Sequence, residues 1–452
     1  MLAGLAFAAS ERVFVSYADA KPVLDAHRDQ LPPELKSASE SKWTAWSRQQ
    51  DQAIRERLRQ GELDSMVNLL LFGTSFTKQP RVRIENITEA SKSGVVRARV
   101  DDLVAGLRNP GDNERLIFLS GLLKSMGVDP EGGGPETGVF IYNNLLRVLK
   151  EDQSLRERAS EAIRKTRKDD DPASLLERSS LFRDRGVSLD TSILPDFLLE
   201  QTLRDLKQKG VLREGQVARV AVVGPGLDFI DKNQESGYDY YPQQTVQPFA
   251  LYDSLVRLGV AKPRLSVSVF DISARVIDHL QRARERAGKN IGYTIQLPRD
   301  ISRPWSPALV AYWRAFGDRS GSEVASIRPP EVFQSINGGK GLETRAVKIR
   351  PDVVLACQPS DLNIVLEREN LPAADRFDLI VGTNIFVYYD AFEQALALRN
   401  AGAMLKPGGL LLTNDRLPEL PGGPMRFAGT TTVVYDEHDP TARGAVGWYR
   451  RQ

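Results

Sequence analysis

The chain has 452 residues, with 61 lysines and arginines against 59 aspartates and glutamates, so its net charge of +2 gives no strong signal for nucleic-acid binding. Its single cysteine, Cys357, excludes an intramolecular disulfide framework and a cysteine-rich metal site, and its three histidines lie too far apart in sequence to predict a metal centre. No run of about 18 apolar residues occurs, so the sequence predicts no transmembrane segment.

Residues 1–170 have the pattern of a mostly helical domain of unknown role. Trp43 and Trp46 fall at roughly helical spacing, and the apolar stretch from Met66 to Phe72 is stopped by Gly73. A pair of tryptophans in such a helix is more typical of a hydrophobic core than of a binding cage.

A run of charged residues over 164–171 precedes Pro172 and alternates blocks of opposite sign. This composition favours a solvated helix end and a linker over a phosphate site. We therefore place a domain boundary at residue 170. The second domain then covers 171–452, with insertions near 229–246 and 290–344.

The second domain opens with a short apolar run, Val220 to Val223, which leads into the turn Gly224-Pro225-Gly226-Leu227-Asp228. Such a run is typical of a buried parallel strand. Glycines at its carboxyl end allow backbone N–H groups to approach a ligand closely, since they carry no Cβ. A tight turn without a ligand has the same pattern, so this motif alone leaves both interpretations open.

A second strand pattern runs from Leu265 to Phe270 and ends on Asp271, and an amphipathic helix follows it directly. In a Rossmann-like unit, an acidic residue at the tip of the second strand accepts hydrogen bonds from the two ribose hydroxyls of a nucleoside. Asp271 is therefore a candidate nucleoside ligand.

Two further strands are predicted from Phe377 to Gly382 and from Leu410 to Thr413, the second one after the turn sequence Pro407-Gly408-Gly409. The residues from Thr430 to Tyr435 and from Ala445 to Tyr449 then have the pattern of a closing β-hairpin.

The blocks VVGPG, VFD, FDLIVGTN and LKPGGLLLTND occur in the order found in class I, Rossmann-like S-adenosylmethionine-dependent methyltransferases, and the chain resembles this family over roughly residues 195–452. The segment TNIFVYYD is also similar to the fourth-strand motif of the chemotaxis-receptor glutamate methyltransferases. The resemblance implies an α/β fold with a seven-stranded Rossmann-like sheet and a terminal antiparallel hairpin, preceded by the mostly helical domain.

The resemblance also implies a site for S-adenosylmethionine. The glycine turn would pass under the methionine part of the cofactor, Asp271 would hold the ribose, and Thr383-Asn384 would lie beside the sulfonium. The pair Asp361-Leu362, after a strand-like stretch from Arg345 to Ile349, would meet the adenine. The implied cofactor-binding residues are Gly224, Pro225, Gly226, Asp228, Asp271, Ile272, Asp361, Leu362, Thr383 and Asn384.

The sequence departs from the family pattern at two positions of the glycine motif. Val222 stands where the family usually has an acidic residue, and Asp228 stands where it has a third glycine. The segment from Tyr238 to Gln244, within the first insertion, is rich in tyrosine and predicts either a lid that excludes water or an ordinary packed loop. The second insertion contains an aromatic helix pattern from Leu309 to Phe316 and is expected to cap the active site.

The chain is thus predicted to be a methyltransferase acting on an unidentified small-molecule or protein acceptor, with no metal. Methyl transfer from a sulfonium is an in-line displacement, so the protein chiefly aligns the two reactants and removes water. Tyr388, Tyr389 and Asp390 are the candidate catalytic residues on the acceptor side. The alternative is that the tyrosines pack at the start of a helix and that Asp390 is its N-cap.

Two other functions remain open from the sequence. A nicotinamide-dependent oxidoreductase shares the glycine turn and Asp271, although the terminal hairpin favours a methyltransferase. A cofactor-binding but inactive interaction protein is compatible with the departures at Val222 and Asp228. Cofactor supply favours a cytoplasmic location, while the apolar start over residues 1–10 is compatible with an export signal or with a buried helix.

Overall fold

The computed structural model describes residues 11–82, 94–132, 135–165, 186–188, 191–227, 238–301, 303–329 and 341–452. The helices are α1 (Tyr17–Ala26), α2 (Glu40–Phe72), α3 (Gly94–Arg108), α4 (Glu114–Ser125), α5 (Pro135–Lys165), α6 (Ile193–Gln208), α7 (Gln247–Arg257), α8 (Ala274–Gly288), α9 (Pro307–Ala315), α10 (Pro351–Ala356) and α11 (Ala391–Met404). The strands are β1 (Arg12–Phe14), β2 (Val217–Val223), β3 (Ala261–Asp271), β4 (Tyr293–Asp300), β5 (Gly321–Val324), β6 (Leu342–Ile349), β7 (Cys357–Asp361), β8 (Glu367–Glu369), β9 (Phe377–Gly382), β10 (Leu405–Thr413), β11 (Met425–Val434) and β12 (Arg443–Arg451). None of the helices in this described part is long and apolar enough to cross a membrane.

The central element is a seven-stranded sheet in the order β7-β3-β2-β9-β10-β12-β11. Its first five strands are parallel to their neighbours, whereas β12 lies antiparallel between β10 and β11. The predicted fold class, including the terminal hairpin, is confirmed. A dinucleotide-binding fold would continue with a parallel strand instead.

Strand β2 shows why the apolar runs form the middle of this sheet. Val220 and Val222 point into the core on one face, while Ala221 and Val223 point into the core on the other. All four are buried, as expected for a parallel strand covered on both sides. The carboxyl ends of β2, β3, β7 and β9 consequently meet at one edge of the sheet, and this edge carries the candidate site.

The strand that precedes Asp361 differs from the prediction. The stretch from Arg345 to Ile349 belongs to β6, which pairs with β4 and β5 in a separate three-stranded antiparallel sheet. The main sheet instead ends with β7, whose sequence CQPSD contains proline and polar residues. An edge strand tolerates these residues because it has only one neighbour, and for the same reason it gives no apolar signal.

The second insertion forms this small sheet together with α9, and the aromatic helix that was predicted there is confirmed. Ser306, which precedes α9, contacts the terminal hairpin by donating its backbone N–H to Tyr435 O at 2.7 Å. The loop at residues 338–340 lies outside the described residues.

The 33-residue helix α2 contributes residues to two separate hydrophobic cores. Its first half belongs to the core of the main sheet, where Trp43 is 1% exposed and donates its Nε1–H to Val15 O at 2.7 Å. Its second half packs with α3, α4 and α5 in a separate core. The core position expected for Trp43 is confirmed, while the domain boundary at residue 170 stays a proposal.

A close crossing holds α2 against the segment 186–188. Val187 N donates to Arg57 O at 3.0 Å, and a Cβ on Gly61 would lie 1.8 Å from Val187 O. Gly121, in the middle of α4, is exposed and has no neighbouring atom within 4 Å of such a Cβ. Both glycines therefore have helical backbone conformation, and only the space around them differs.

We expect the same substitution to have opposite effects at these two glycines. Gly61→Ala should lower the free energy of unfolding by about 1–3 kcal/mol, because the backbone of residue 187 must move away. Gly121→Ala should raise it by about 0.5–1 kcal/mol through helix propensity. Denaturant unfolding measures both; equal effects of the two substitutions would contradict the close crossing.

Candidate functional site

The glycine turn after β2 has the backbone conformation that the sequence predicts. Gly224 and Gly226 have φ angles of 63° and 73°, in the left-handed region that favours glycine. Gly224 N donates to Phe270 O at 2.8 Å, and a Cβ on Gly224 would lie 2.4 Å from Ile385 Cγ2. The turn is thus fixed between the ends of β3 and β9. Asp228 lies outside the described residues.

Asp271 ends β3 beside Asp361, its partner on β7. It is 4% exposed, and its Oδ1 accepts a hydrogen bond from Ser273 N at 2.8 Å, whereas its buried Oδ2 accepts none. Burial raises the pKa of Asp271 to about 7, although backbone hydrogen bonds from Ser273 and Ile272 oppose the shift. This carboxylate is therefore buried with an incomplete set of hydrogen bonds.

Several predicted cofactor residues meet around a small cavity of about 40 Å³. They come from different strand ends, which explains why distant segments of the sequence converge there. Its lining includes Gly224, Gly226, Asp271, Ile272, Leu362 and Tyr389.

A larger cavity of about 610 Å³ shares the glycine turn with the small one. It is lined by Pro225, Thr383, Asn384 and Tyr388 among the predicted residues. Asn384 has a φ angle of 60°, its N–H donates to Asn414 Oδ1 at 2.7 Å, and the Asn414 amide donates back to Asn384 Oδ1. The end of β9 is thereby attached to the end of β10.

The three candidate catalytic residues lie in different surroundings. Tyr388 lines the large cavity and Tyr389 the small one. Tyr389 is 5% exposed, and burial raises the pKa of its hydroxyl. Asp390 is the N-cap of α11, with its Oδ1 accepting from Glu393 N at 2.9 Å in a capping box. The N-cap alternative considered from the sequence is therefore the arrangement found.

Helix α2 lies across this edge of the sheet and contacts the predicted adenine residues, which the sequence did not indicate. Arg55 donates to Asp361 Oδ1 at 2.9 Å and to Ile272 O at 3.2 Å. Arg57 donates to Tyr388 O at 2.5 Å. These contacts join residues more than 200 positions apart, so no local pattern could have revealed them.

The described part of the tyrosine-rich segment is packed and hydrogen-bonded on several sides. Asp239 accepts hydrogen bonds from Thr74 and Ser75 of the helical region. Thr245 Oγ1 donates to Gly226 O at 2.9 Å, which attaches the segment to the glycine turn. A packed loop accounts for residues 238–246, and a response to cofactor stays a prediction.

A buried chain of polar groups leads from α6 to the large cavity. Gln247 Nε2 donates to Thr383 Oγ1 at 2.9 Å. Asp196 is 2% exposed, and neither of its carboxylate oxygens has a partner within ordinary hydrogen-bond limits. Burial raises its pKa to about 8, and the neighbouring Gln247 side chain offsets this only in part. Asp196 is therefore mainly protonated at neutral pH.

The sequence analysis missed Asp196, Gln247 and Asp415, all of which lie at or near this site. Asp415 follows β10, lines the large cavity and has a buried Oδ2 with no hydrogen-bond partner. Its position at the end of a predicted strand was a usable signal, because strand ends at this edge build the site. Asp196 and Gln247 lie in helices, and no strand end marks their positions in the sequence.

Comparison with protein-family models found no matching family. A segment of 90 residues is 29% identical to the chemotaxis protein methyltransferase of Salmonella typhimurium, covering 20% of this chain and 31% of that protein. The chain thus matches less than a third of the length of this curated relative. The match is to a methyltransferase, as the resemblance of the sequence predicts.

Solved structures with a similar fold include the N-methyltransferase NodS from Bradyrhizobium japonicum in complex with S-adenosyl-L-homocysteine. It is 13% identical, with a TM-score of 0.27 over 56% of this chain and 85% of that one. The rRNA methyltransferase aviRa from Streptomyces viridochromogenes is 11% identical, with a TM-score of 0.26 over 63% and 94%. At these low scores, the function of this chain has to be inferred from its own residues.

We expect the burial of Asp196 to appear in the pH dependence of stability. Its pKa is about 8 in the folded state and 3.8 in the unfolded chain, so the unfolded state loses this proton first as the pH rises. Stability from this group is present below about pH 4 and falls until about pH 8. Asp196→Asn should therefore be more stable than the parent by a few kcal/mol at pH 8, and the difference should shrink towards pH 5.

Chemical denaturation across this pH range measures the difference. Asp25→Asn is the matched control, because Asp25 is exposed on α1 and pairs with Lys21. A difference between Asp196→Asn and the parent that stays constant from pH 5 to pH 8 would contradict the raised pKa.

Proposed function

We propose that this chain is an S-adenosylmethionine-dependent methyltransferase. The observation that carries the proposal is the buried Oδ2 of Asp271, which accepts no hydrogen bond although it lies beside the glycine turn. A ribose offers two hydroxyl donors, and their binding would complete the hydrogen bonds of this carboxylate. The residues present therefore fit a nucleoside cofactor.

The other cofactor residues are assigned by their places around Asp271. Ile272 and Leu362 offer apolar contacts for the adenine ring, next to the carboxylate of Asp361. The glycine turn leaves room for the methionine part, and Thr383-Asn384 line the large cavity next to Ile385, which lines both cavities. The bound cofactor supplies an activated methyl group, and the residues of the large cavity hold and orient its acceptor.

Cofactor binding requires the small cavity to enlarge. Its volume of about 40 Å³ is far below the roughly 300–1,000 Å³ of pockets for drug-sized ligands. Arg55 donates hydrogen bonds to the carboxylate of Asp361 and to the carbonyl of Ile272. Both groups lie beside the proposed position of the adenine. We infer that the contacts of α2 open or shift when the cofactor enters.

The acceptor is a small molecule or a protein, and the supply of the cofactor favours a cytoplasmic location. Radiolabelled S-adenosylmethionine incubated with the protein and a fractionated cell extract tests the activity directly. Label transferred to any component supports the methyltransferase. Cofactor binding without any transfer would support an inactive interaction protein, and binding of NAD in its place would support an oxidoreductase.

Removing the Asp271 carboxylate should weaken cofactor binding without unfolding the protein. Because the ribose hydroxyls would donate to an ionised carboxylate at a pH above the raised pKa of Asp271, Asp271→Ala should cost about 1.5–3 kcal/mol there, or about 10- to 150-fold in affinity. Calorimetry with S-adenosylhomocysteine measures it, with Asp278→Ala on the exposed face of α8 as the control. Unchanged affinity in a folded Asp271→Ala variant would remove Asp271 from the site.

The cofactor should also increase protection of the tyrosine-rich segment against hydrogen exchange. Thr245 bonds to the carbonyl of Gly226, so fixing the glycine turn should reduce local opening of residues 238–246. Exchange measured by mass spectrometry with and without saturating S-adenosylhomocysteine should show slower exchange in this segment. Equal exchange in both conditions would leave the packed loop without any role in cofactor binding.

A further inference from the structure

The large cavity has an asymmetric distribution of charge. Among the described residues that line it, Asp415 and Arg443 are the charged ones. Arg443 is exposed at the start of β12, where solvent screens its charge. Asp415 is partly buried at the end of β10, so its charge acts more strongly inside the cavity.

Asp415 is also connected to the residues that are assigned to the sulfonium side of the cofactor. It follows Asn414, which is hydrogen-bonded to Asn384 at the end of β9. Asn384 follows Thr383, and both line the cavity together with the glycine turn. The acidic group is thus attached to the part of the cavity where the acceptor must meet the cofactor.

Among the residues that the structure describes, no lysine or arginine forms an ion pair with this carboxylate. Arg416, the next residue, stacks on the ring of Phe427 at 3.4 Å and pairs with Glu419. Burial raises the pKa of Asp415 to about 6, while a backbone hydrogen bond from Val387 opposes the shift. The group is consequently ionised in most molecules at neutral pH and is also able to take up a proton near that pH.

The same cavity has aromatic walls. Tyr388 lines it from the β9 side and Tyr435 from the hairpin side. Aromatic ring faces attract ammonium groups, and this attraction adds to that of a partly buried carboxylate. An anionic acceptor group at the same place would face a second negative charge in a region of low dielectric constant.

We propose that the methyl acceptor is an amine and that Asp415 binds its nitrogen. This inference rests on the proposed methyltransferase function and names the class of its substrate.

The reaction then balances without a further reagent. The ammonium form of the acceptor gives one proton to Asp415, which frees the nitrogen lone pair. The nitrogen forms a bond to the methyl carbon as the carbon–sulfur bond breaks, and the electron pair of that bond goes to sulfur. The products are a methylated ammonium, the neutral thioether S-adenosylhomocysteine and one proton, which Asp415 releases to solvent.

The chemical class of the labelled product tests the proposal. The parent protein is incubated with S-adenosylmethionine labelled in the methyl group and a fractionated cell extract, and each labelled product is treated with alkali. N-methyl groups withstand this treatment and are recovered as methylamines after acid hydrolysis, which is the expected result. Label released as methanol indicates a carboxyl acceptor, and label recovered in an ether indicates a hydroxyl acceptor; either result would overturn the proposal.

The role of Asp415 is tested in the same assay. Asp415→Asn should lower the rate of transfer about 10²- to 10⁴-fold, which is typical for loss of a general base. Asp415→Glu, which keeps the charge, should recover part of the rate, and Asp25→Asn on the surface should behave as the parent. An Asp415→Asn variant with the parental rate would contradict the proposal.

Affinity for S-adenosylhomocysteine separates this inference from the proposed function. All four proteins should bind it within about twofold of one another, because Asp415 is not among the residues around the small cavity. A parent protein that does not bind it refutes the methyltransferase itself. A parent that binds it and labels a product other than an amine refutes only the amine acceptor, whereas binding without any labelled product refutes both proposals.

Discussion

The buried carboxylate of Asp271 is the constraint around which the carboxyl edge of the sheet is organised. Its side chain lies between β2 and β7 at the tip of β3, where little solvent reaches it. Backbone N–H groups of the following residues compensate part of its charge, and one oxygen is left without a partner. A folded protein keeps such a group at a cost in stability, and a ligand that supplies hydrogen-bond donors recovers that cost on binding.

Helix α2 covers this edge of the sheet through the contacts of Arg55 and Arg57. Its contact with the segment 186–188 needs a glycine on each side, because a Cβ on Gly186 would lie 2.2 Å from Gly61 N. One of its polar contacts with the site is the ion pair of Arg55 and Asp361, whose side chains are 29% and 45% exposed. Partly exposed ion pairs contribute only about 0–1 kcal/mol, so this contact alone opposes cofactor entry weakly.

In the proposed methyltransferase, each of the two cavities would hold one of the two reactants. The small cavity contains the groups suited to a nucleoside, and the large one contains the polar and aromatic groups suited to an acceptor. The glycine turn lies in both linings, as does Ile385 at the end of β9. The residues that the two linings share would therefore contact both the cofactor and the methyl acceptor.

Much of the fold could be predicted from the sequence because its central strands are buried on both faces and appear as apolar runs. This holds for β2, β9 and the apolar part of β10. The edge strand β7 was not predicted, because a strand with a single neighbour can contain proline and polar residues and then shows no apolar pattern. The glycine turn and Asp271 could be predicted as site residues because each lies at the end of a strand that is visible in the sequence. The contacts of Arg55, in contrast, arise only when segments 217 and 306 positions apart meet in the folded chain.

In the proposed complex, Asp271 and the glycine turn hold an adenosine cofactor. A crystal structure of the protein with S-adenosylhomocysteine tests it most directly. The account predicts both ribose hydroxyls within about 3 Å of the Asp271 carboxylate, the adenine beside Ile272 and Leu362, and the Arg55 guanidinium displaced from Asp361. Density for the ligand in another part of the molecule, with Asp271 Oδ2 still unpartnered, would contradict it.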